Sequence, residues 1–259
     1  NNSKYFQLET KASGVKILWL DVPRVNVLQM AVLNELDGIL DQLASDPSLK
    51  GLVITSAKAG VFIAGADINE IRALQSESEE KTYQATMNAK RILAKLRTLG
   101  VPTVAAINGA CKGGGLELAL WCTHRLAADS PHVVLGLPEV RLGIFPGFGG
   151  CVLLPRLIDT IKAVTMIATG SDVSAKEAWQ TGLVDEAVAP EQLLARAEAI
   201  ALGAKSLKAP GIGKGKKVAL AERAVAALLD VTEAFKADRF SPIRHFVSAT
   251  THGFASKQV

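Results

Sequence analysis

Residues 108–150 read NGACKGGGLELALWCTHRLAADSPHVVLGLPEVRLGIFPGFGG, and this stretch holds two glutamates beside backbone that glycine or proline shapes. Glu117 follows the triplet Gly113–Gly115, in a run that is typical of the first turns of a helix. Glu139 follows Pro138, which fixes the backbone and should end the preceding apolar strand. We therefore take Glu117 and Glu139 as the candidate catalytic pair.

The glycine triplet predicts a site for a carbonyl oxygen that gains negative charge. Glycine keeps no side chain between its amide and a ligand, and the first turn of a helix has N–H groups without internal partners. A second loop rich in small residues, at 56–67, precedes a predicted helix at 67–74. The amide of Ala66 could be a second donor there, although the loop could equally be a structural turn that Asp67 caps.

Two carboxyl groups in one pocket can divide the roles of acid and base if their surroundings separate their pKa values. Their spacing in the sequence leaves open whether the two groups meet. The alternative is that both are solvated surface residues, as most glutamates are. The apolar neighbours Leu116 and Leu118 argue against that alternative more strongly for Glu117 than for Glu139.

Several motifs occur together and in a characteristic order: IAGADI at 63–68, NG at 108–109, GGGLE at 113–117, LPE at 137–139 and GIFPGFGG at 143–150. This combination resembles the crotonase (enoyl-CoA hydratase/isomerase) superfamily. Within it, residues 109–188 look most like the N-terminal hydratase/isomerase module of the multifunctional fatty-acid oxidation alpha subunit. The resemblance spans residues 5–200 and fades beyond them.

The resemblance implies an α/β fold, a spiral of ββα repeats in residues 1–200, followed by a C-terminal helical region at 201–259. The alternation of strands and helices supports the α/β class by itself, but it does not separate this spiral from a doubly wound sheet. The C-terminal region begins with a basic linker at 205–217, KSLKAPGIGKGKK, and continues with an amphipathic helix at 218–237. The linker matches no nucleotide-binding motif.

The resemblance also implies the roles of individual residues. Ala66 and Gly114 would donate to the oxygen of a coenzyme A thioester, Glu117 would activate water for attack at Cβ, and Glu139 would deliver a proton to Cα. Ten further residues are expected to bind the substrate: Arg24, Val25, Lys58, Ala64, Gly65, Asp67, Ile68, Gly113, Pro138 and Gly147. Lys112 departs from the expected small or apolar residue, and its charge would favour the ionised form of a nearby glutamate.

Three functions follow from this resemblance. The first is hydration of trans-2-enoyl-CoA thioesters in fatty-acid β-oxidation, and the second is Δ3,Δ2-enoyl-CoA isomerisation, in which Glu139 alone moves a proton. The third is a non-catalytic RNA-binding or scaffolding role. A serine hydrolase is disfavoured because the chain has no G-x-S-x-G motif, so His124 and His132 are interpreted as structural or surface residues.

Composition limits the partners. The 259 residues carry a net charge of +4, and their scattered basic side chains argue against a dedicated nucleic-acid binder. The three cysteines have no metal-ligand spacing, so we expect no metal and a reducing compartment. No apolar run is long enough to cross a membrane. We expect a cytoplasmic protein, or a mitochondrial matrix protein if a transit peptide was removed.

The expected ligand is an acyl-CoA thioester, and no separate cofactor is expected because coenzyme A is part of that substrate. The resemblance further implies a homo-oligomer, either a trimer or a dimer of trimers, or membership of a larger β-oxidation complex.

The hydrophobic pattern predicts the main elements of the core. We expect a hairpin at 5–20, a helix at 27–43, strands at 51–55, 103–107, 125–128, 133–135 and 183–188, and a long helix at 79–99. The internal face of that long helix should consist of Met87, Ile92, Leu93 and Leu96. Ser174 and Glu177 predict a capping box for a short helix that ends at Gly182.

Overall fold

A computed structural model of the chain describes residues 3–206, which form two β-sheets and the helices around them. The strands in chain order are β1 (Phe6–Thr10), β2 (Val15–Leu20), β3 (Gly51–Ser56), β4 (Gly60–Ile63), β5 (Thr103–Ile107), β6 (Gly109–Lys112), β7 (His124–Ala128), β8 (Val134–Gly136), β9 (Asp172–Ser174) and β10 (Glu186–Val188). The larger sheet has the order β1-β2-β3-β5-β7-β10, and the smaller has the order β4-β6-β8-β9.

The helices in chain order are α1 (Met30–Ala44), α2 (Ile68–Gln75), α3 (Glu79–Thr98), α4 (Gly114–Trp121), α5 (Gly150–Leu157), α6 (Thr160–Thr169), α7 (Ala175–Thr181) and α8 (Leu193–Ala201). Two 3-10 helices lie at Pro138–Leu142 and Pro190–Gln192. None of the helices within residues 3–206 is long and apolar enough to span a membrane.

The two sheets arise from one repeated unit. In each repeat the chain adds a strand to the larger sheet, then a strand to the smaller sheet, and then forms a helix, as in β3-β4-α2 and β5-β6-α4. The strands from successive repeats pair in parallel within each sheet. The predicted α/β spiral of ββα repeats is therefore confirmed for the described residues.

Successive repeats stack with almost no space between their backbones. A Cβ on Gly109 would lie 2.1 Å from the carbonyl carbon of Gly60 and 2.1 Å from the nitrogen of Val61. Only glycine fits at such a distance, because real Cβ atoms do not approach a backbone so closely. The start of β6 therefore lies directly on the start of β4.

The predicted hairpin forms around Gly14, but α1 begins three residues later than the pattern at 27–43 suggests. The reason is that Leu28 forms an isolated parallel bridge with Ala66, and its amide donates to the carbonyl of Gly65 at 2.8 Å. The backbone of Leu28 is therefore hydrogen-bonded to the loop before α2, so Leu28 is not part of α1.

The predicted strand at 183–188 pairs only from Glu186 onward. Its first residues close the end of α7, since the amide of Val184 donates to the carbonyl of Ala178 and Arg125 donates to the carbonyl of Leu183. The predicted cap of α7 is present in part. The hydroxyl of Ser174 accepts from the amide of Glu177, but the Glu177 carboxylate forms an ion pair with Lys162.

The core occupies the space between the sheets and the helices. Ile92, Leu93 and Leu96 of α3 are fully buried, as predicted, but Met87 is 40% exposed, so its assignment to the internal face was wrong. Met87 lies near the middle of α3, and its spacing from the buried Ala89, Ile92 and Leu96 places it on the opposite face of the helix. At the other end of the chain, the buried carboxylate of Glu186 accepts two hydrogen bonds from Arg196 of α8, at 2.7 Å each.

The predicted domain boundary at residue 200 lies beside the end of α8. The amphipathic helix predicted at 218–237 and all but the first two residues of the basic linker lie outside the described residues. The C-terminal helical region therefore stays a prediction.

Candidate active site

The glycine triplet joins β6 to α4. Gly113 has φ +51°, a conformation that glycine adopts readily, and its amide donates to the carbonyl of Gly136 at 2.9 Å. Gly115 packs against Ile63, because a Cβ there would lie 2.6 Å from the Ile63 Cβ. Gly114 opens the helix, and among residues 3–206 its amide donates to no acceptor.

Ala66 presents a second free amide next to the first. Its neighbours make the bridge to Leu28, so the Ala66 N–H points away from that bridge and has no acceptor among residues 3–206. The two loops touch, since the Cα of Gly65 lies 3.6 Å from the position that a Cβ on Gly113 would take. Two unpaired amides in adjacent loops can bind an oxygen that gains negative charge.

Glu117 lies in the first turn of α4 and is only 2% exposed. Its Oε1 accepts hydrogen bonds from the amides of Phe148 and Gly150, at 2.7 and 2.8 Å. The indole of Trp121 donates to the carbonyl of Phe148 at 2.7 Å, which holds this loop in place. The carboxyl group is therefore fixed by backbone that comes 31 to 33 residues later in the chain.

Glu139 enters the same region from the 3-10 helix at Pro138–Leu142, where Pro138 occupies the first turn. Its Oε1 lies 3.1 Å from the position of a Cβ on Gly113. Its Oε2 is buried and has no hydrogen-bond partner within residues 3–206. Glu139 is 8% exposed, so neither glutamate is a solvated surface residue.

Burial raises the pKa of both carboxyl groups towards neutrality. The pKa of Glu117 rises to about 8, because burial and the charge of Glu139 outweigh the amide donors from Gly150 and Phe148. Burial raises the pKa of Glu139 to about 7. Since the charge of Glu139 raises the pKa of Glu117, the two groups resist double ionisation, and the pair carries a proton near pH 7. The two amide donors to Glu117 favour the negative charge on that residue.

This site gives the structural context for a comparison with known proteins. The family profile described as Enoyl-CoA hydratase/isomerase matches residues 10–238. The chain belongs to the enoyl-CoA hydratase/isomerase family. The resemblance drawn from the sequence motifs is thus confirmed.

Relatives within this family include longer proteins. The fatty acid oxidation complex subunit alpha of Shewanella amazonensis is 43% identical over 209 residues, which cover 80% of this chain and 29% of the relative. The subunit of the same name from Idiomarina loihiensis is 42% identical over 224 residues, covering 83% of this chain and 31% of the relative. The chain therefore spans about a third or less of the length of these relatives.

Solved structures of the family share the fold. The enoyl-CoA hydratase of Bacillus anthracis is 37% identical with a TM-score of 0.70, over 76% of this chain and 75% of that one. An enoyl-CoA hydratase structure from Geobacillus kaustophilus has a TM-score of 0.72 at 25% identity, over 98% and 96% of the two chains.

Most of the residues predicted to bind substrate lie in the loops around the glutamates. Ala64 and Gly65 precede the free amide of Ala66, and the Ala64 amide donates to the carbonyl of Asn26 at 2.8 Å. Asp67 caps α2 through the amides of Asn69 and Glu70, which is the structural role that the sequence left open. Gly113, Pro138 and Gly147 flank the two glutamates, whereas Ile68 is 48% exposed at the start of α2.

The other three predicted substrate residues lie farther out. Arg24 and Val25 occupy the exposed connection between β2 and α1, where Arg24 has φ +68°. Lys58 forms an ion pair with Asp21 at 2.7 Å. None of the contacts of these three residues within 3–206 reaches a glutamate of the pair.

Lys112 does not act on the glutamates as the sequence suggested. Its ammonium group forms an ion pair with Asp172, and it is not among the charges that shift the pKa of Glu117 or Glu139. The cation that lowers the pKa of Glu117 is Lys90, a half-buried residue of α3. Sequence reasoning missed Lys90, which belongs to no motif. It also missed the amides of Phe148 and Gly150, because the motif at 143–150 does not show that its backbone turns towards Glu117.

No group of three or more His, Cys, Asp or Glu side chains within residues 3–206 is placed to hold a metal ion.

Proposed function

We propose that the chain is an enoyl-CoA hydratase that adds water across the double bond of trans-2-enoyl-CoA thioesters. The observation that carries the proposal is the pair of buried glutamates beside two free amides in touching loops. Hydration of a conjugated thioester needs both parts, because charge forms on the carbonyl oxygen while one proton leaves water and another reaches carbon. The relative from Bacillus anthracis that is named enoyl-CoA hydratase supports the assignment.

The amides of Ala66 and Gly114 would bind the thioester oxygen and draw electron density onto it, which makes Cβ electrophilic. Glu117 as carboxylate would take a proton from water while the water oxygen bonds to Cβ. The electron pair of the double bond then moves to form an enolate at the bound oxygen. Glu139 would give its proton to Cα, and the product would be a 3-hydroxyacyl-CoA thioester.

The division of roles rests on the surroundings of each carboxyl group. Glu117 has the higher pKa, so the proton of the resting pair lies mainly on Glu117, and the reaction requires the form in which Glu139 holds it. The two amides that donate to Oε1 of Glu117 stabilise the negative charge in that form, which suits a general base. Oε2 of Glu139 lacks a partner within residues 3–206 and is therefore free to carry a proton to the substrate. A water held between the two groups would turn a bimolecular step into a local one. The proposed reaction uses no metal and no cofactor beyond the coenzyme A of the substrate.

The test is the loss of ultraviolet absorbance of the conjugated thioester, measured with crotonyl-CoA and with a longer enoyl-CoA. Glu117→Gln and Glu139→Gln should each lower kcat by about 10²–10⁴, the usual contribution of a positioned acid or base. Glu191→Gln removes an exposed carboxylate far along the chain and should leave kcat unchanged. A folded wild-type protein without turnover on either substrate would refute the proposal and favour the non-catalytic alternative.

The unpartnered Oε2 of Glu139 also supports Δ3,Δ2-enoyl-CoA isomerisation as a second activity, since one mobile proton is enough for that reaction. A 3-enoyl-CoA substrate separates the two activities. If Glu139 shuttles the proton alone, Glu117→Gln should retain more isomerisation than hydration. Equal losses of both activities would contradict a separate isomerase role.

The place of the chain in a larger assembly is also a proposal. The relatives named as fatty acid oxidation complex subunits suggest a role in β-oxidation, and a homo-oligomer remains our expectation from the family resemblance. Light scattering with the full chain would measure the oligomeric state, and a monomer would contradict that expectation.

A further inference from the structure

A second cavity lies away from the glutamates, between the ends of α3, α4 and α5 and the start of β7. Its volume is about 100 Å³, which exceeds the space that one water molecule occupies and leaves room for a small anion. Three of its lining residues are arginines and the other three are leucines: Arg97, Arg125, Arg156, Leu120, Leu153 and Leu157.

Arg125 forms the buried floor of this cavity and is held rigidly. It is 4% exposed, and it donates from Nε to the carbonyl of Leu183 at 3.0 Å and from Nη1 to the carbonyl of Cys122 at 2.9 Å. Its acidic neighbour is Asp185, whose Oδ2 lies 3.7 Å from Nη2 and also accepts from the Arg125 amide. Asp185 is not a lining residue, and His124 competes for it at 3.6 Å.

The other two arginines stand at the rim with unused donors. Arg97, exposed in the last turn of α3, donates from Nη2 to the carbonyl of Leu120 at 3.1 Å. Arg156 of α5 is exposed, and its side chain forms no hydrogen bond or ion pair within residues 3–206. A guanidinium group has five N–H donors, so one carbonyl leaves most of those on Arg97 free.

This arrangement places like charges around one cavity without a negative side chain in its walls. Burial lowers the pKa of Arg125, Asp185 opposes that shift, and the charge of Arg97 adds a smaller lowering. Leu120 and Leu153 give the inner wall of the cavity an apolar surface, which strengthens the attraction between Arg125 and an anion that enters. Planar guanidinium groups match the oxygens of phosphate and carboxylate groups.

We propose that this cavity is a binding site for a small free oxyanion of the phosphate type. The anion would bridge Arg156 and Arg97 at the rim and lie above Arg125. It would thereby connect the C-terminal parts of α3 and α5 at a place separate from the glutamate pair.

The test is a titration of the full chain with inorganic phosphate, followed by calorimetry and by the shift in Tm relative to chloride at equal ionic strength. Phosphate should bind and raise Tm more than chloride does. Arg156→Gln should weaken phosphate binding by about tenfold or more, because it removes a charge-assisted contact. Arg72→Gln is the matched control, since Arg72 is also an exposed helical arginine without a side-chain partner within residues 3–206.

Coenzyme A carries phosphate groups itself, so the titration is repeated with saturating coenzyme A. A phosphate effect that persists with coenzyme A, and that only Arg156→Gln reduces, supports the cavity as the site. The proposal is overturned if phosphate acts no differently from chloride, if coenzyme A abolishes the effect, or if the two arginine variants behave alike.

Discussion

Glu117→Gln should make the stability of the protein less sensitive to pH. The folded chain raises the pKa of Glu117 from its ordinary value of 4.5 to about 8. Between these values the folded state keeps a proton that the unfolded state releases, so the wild-type protein loses stability as the pH rises. Glutamine keeps an acceptor for the amides of Phe148 and Gly150 but cannot ionise, and this loss should disappear.

The size of the effect follows from that interval. A difference of about 3.5 pH units, at about 1.4 kcal/mol per unit, corresponds to about 5 kcal/mol. This benefit is fully present below the pKa of the unfolded state and is lost as the pH passes through about 8. Because the charge of Glu139 contributes to the shift, removal of one carboxyl group also changes the other, and we expect a measured change of about 2–5 kcal/mol.

The assay is urea unfolding of both proteins at about pH 5 and about pH 9, with the free energy of unfolding extrapolated to water. The stability of Glu117→Gln minus that of the wild type should increase by the stated amount between the two pH values. Glu139→Gln should show a smaller increase, since burial raises its pKa only to about 7. Glu191→Gln serves as an exposed control. A stability difference that stays constant with pH, or that falls as the pH rises, would refute the reasoning.

Five further variants at four positions test packing and buried polar groups by urea unfolding. Gly115→Ala should lower the free energy of unfolding by about 2 kcal/mol or more, because the new Cβ would lie 2.6 Å from that of Ile63. Gly38→Ala is the control in the interior of α1, where a Cβ would meet nothing within 4 Å, and it should raise the free energy of unfolding by about 0.5–1 kcal/mol. Asn26→Ala should lower the free energy of unfolding by about 2–4 kcal/mol. The reason is that the buried side-chain amide of Asn26 accepts a hydrogen bond from Val22 and donates to Leu20, Ser56 and Phe62. An effect below about 1 kcal/mol would contradict this. Arg196→Met should cost about 3–5 kcal/mol because it removes two charged hydrogen bonds from the buried carboxylate of Glu186, and Arg196→Lys should restore only part of the loss.

The long elements of the fold were predictable because their hydrophobic patterns are strong. The strand at 103–107 was predicted with the observed bounds, and α3 ends within one residue of its predicted limit. The strands β4, β6 and β9 were not predicted. They have three or four residues each, too few for alternation to show, and their partners come from other repeats.

The parts of the site that could be predicted from the sequence are those formed by side chains and glycines. The motifs identified Glu117, Glu139 and the two loops, and the apolar neighbours of Glu117 predicted its burial. Phe148 and Gly150 bind Glu117 through their backbone amides. Because almost every residue has such an amide, the residue types do not reveal these contacts. The ion pair of Lys112 depends on Asp172, which lies 60 positions away in the sequence. The two residues become neighbours because β8 pairs with β6 on one side and with β9 on the other.

The contact between Gly60 and Gly109 limits how this chain can change in length. Since one strand start rests on the next without space for even a methyl group, an inserted residue at either turn would displace both sheets and the loops that carry the free amides. Insertions should instead be tolerated where a helix connects one repeat to the next, as at the junction of α2 and α3. Deep insertional scanning of the gene would therefore find its tolerated sites at those junctions and almost none at the strand-to-strand turns.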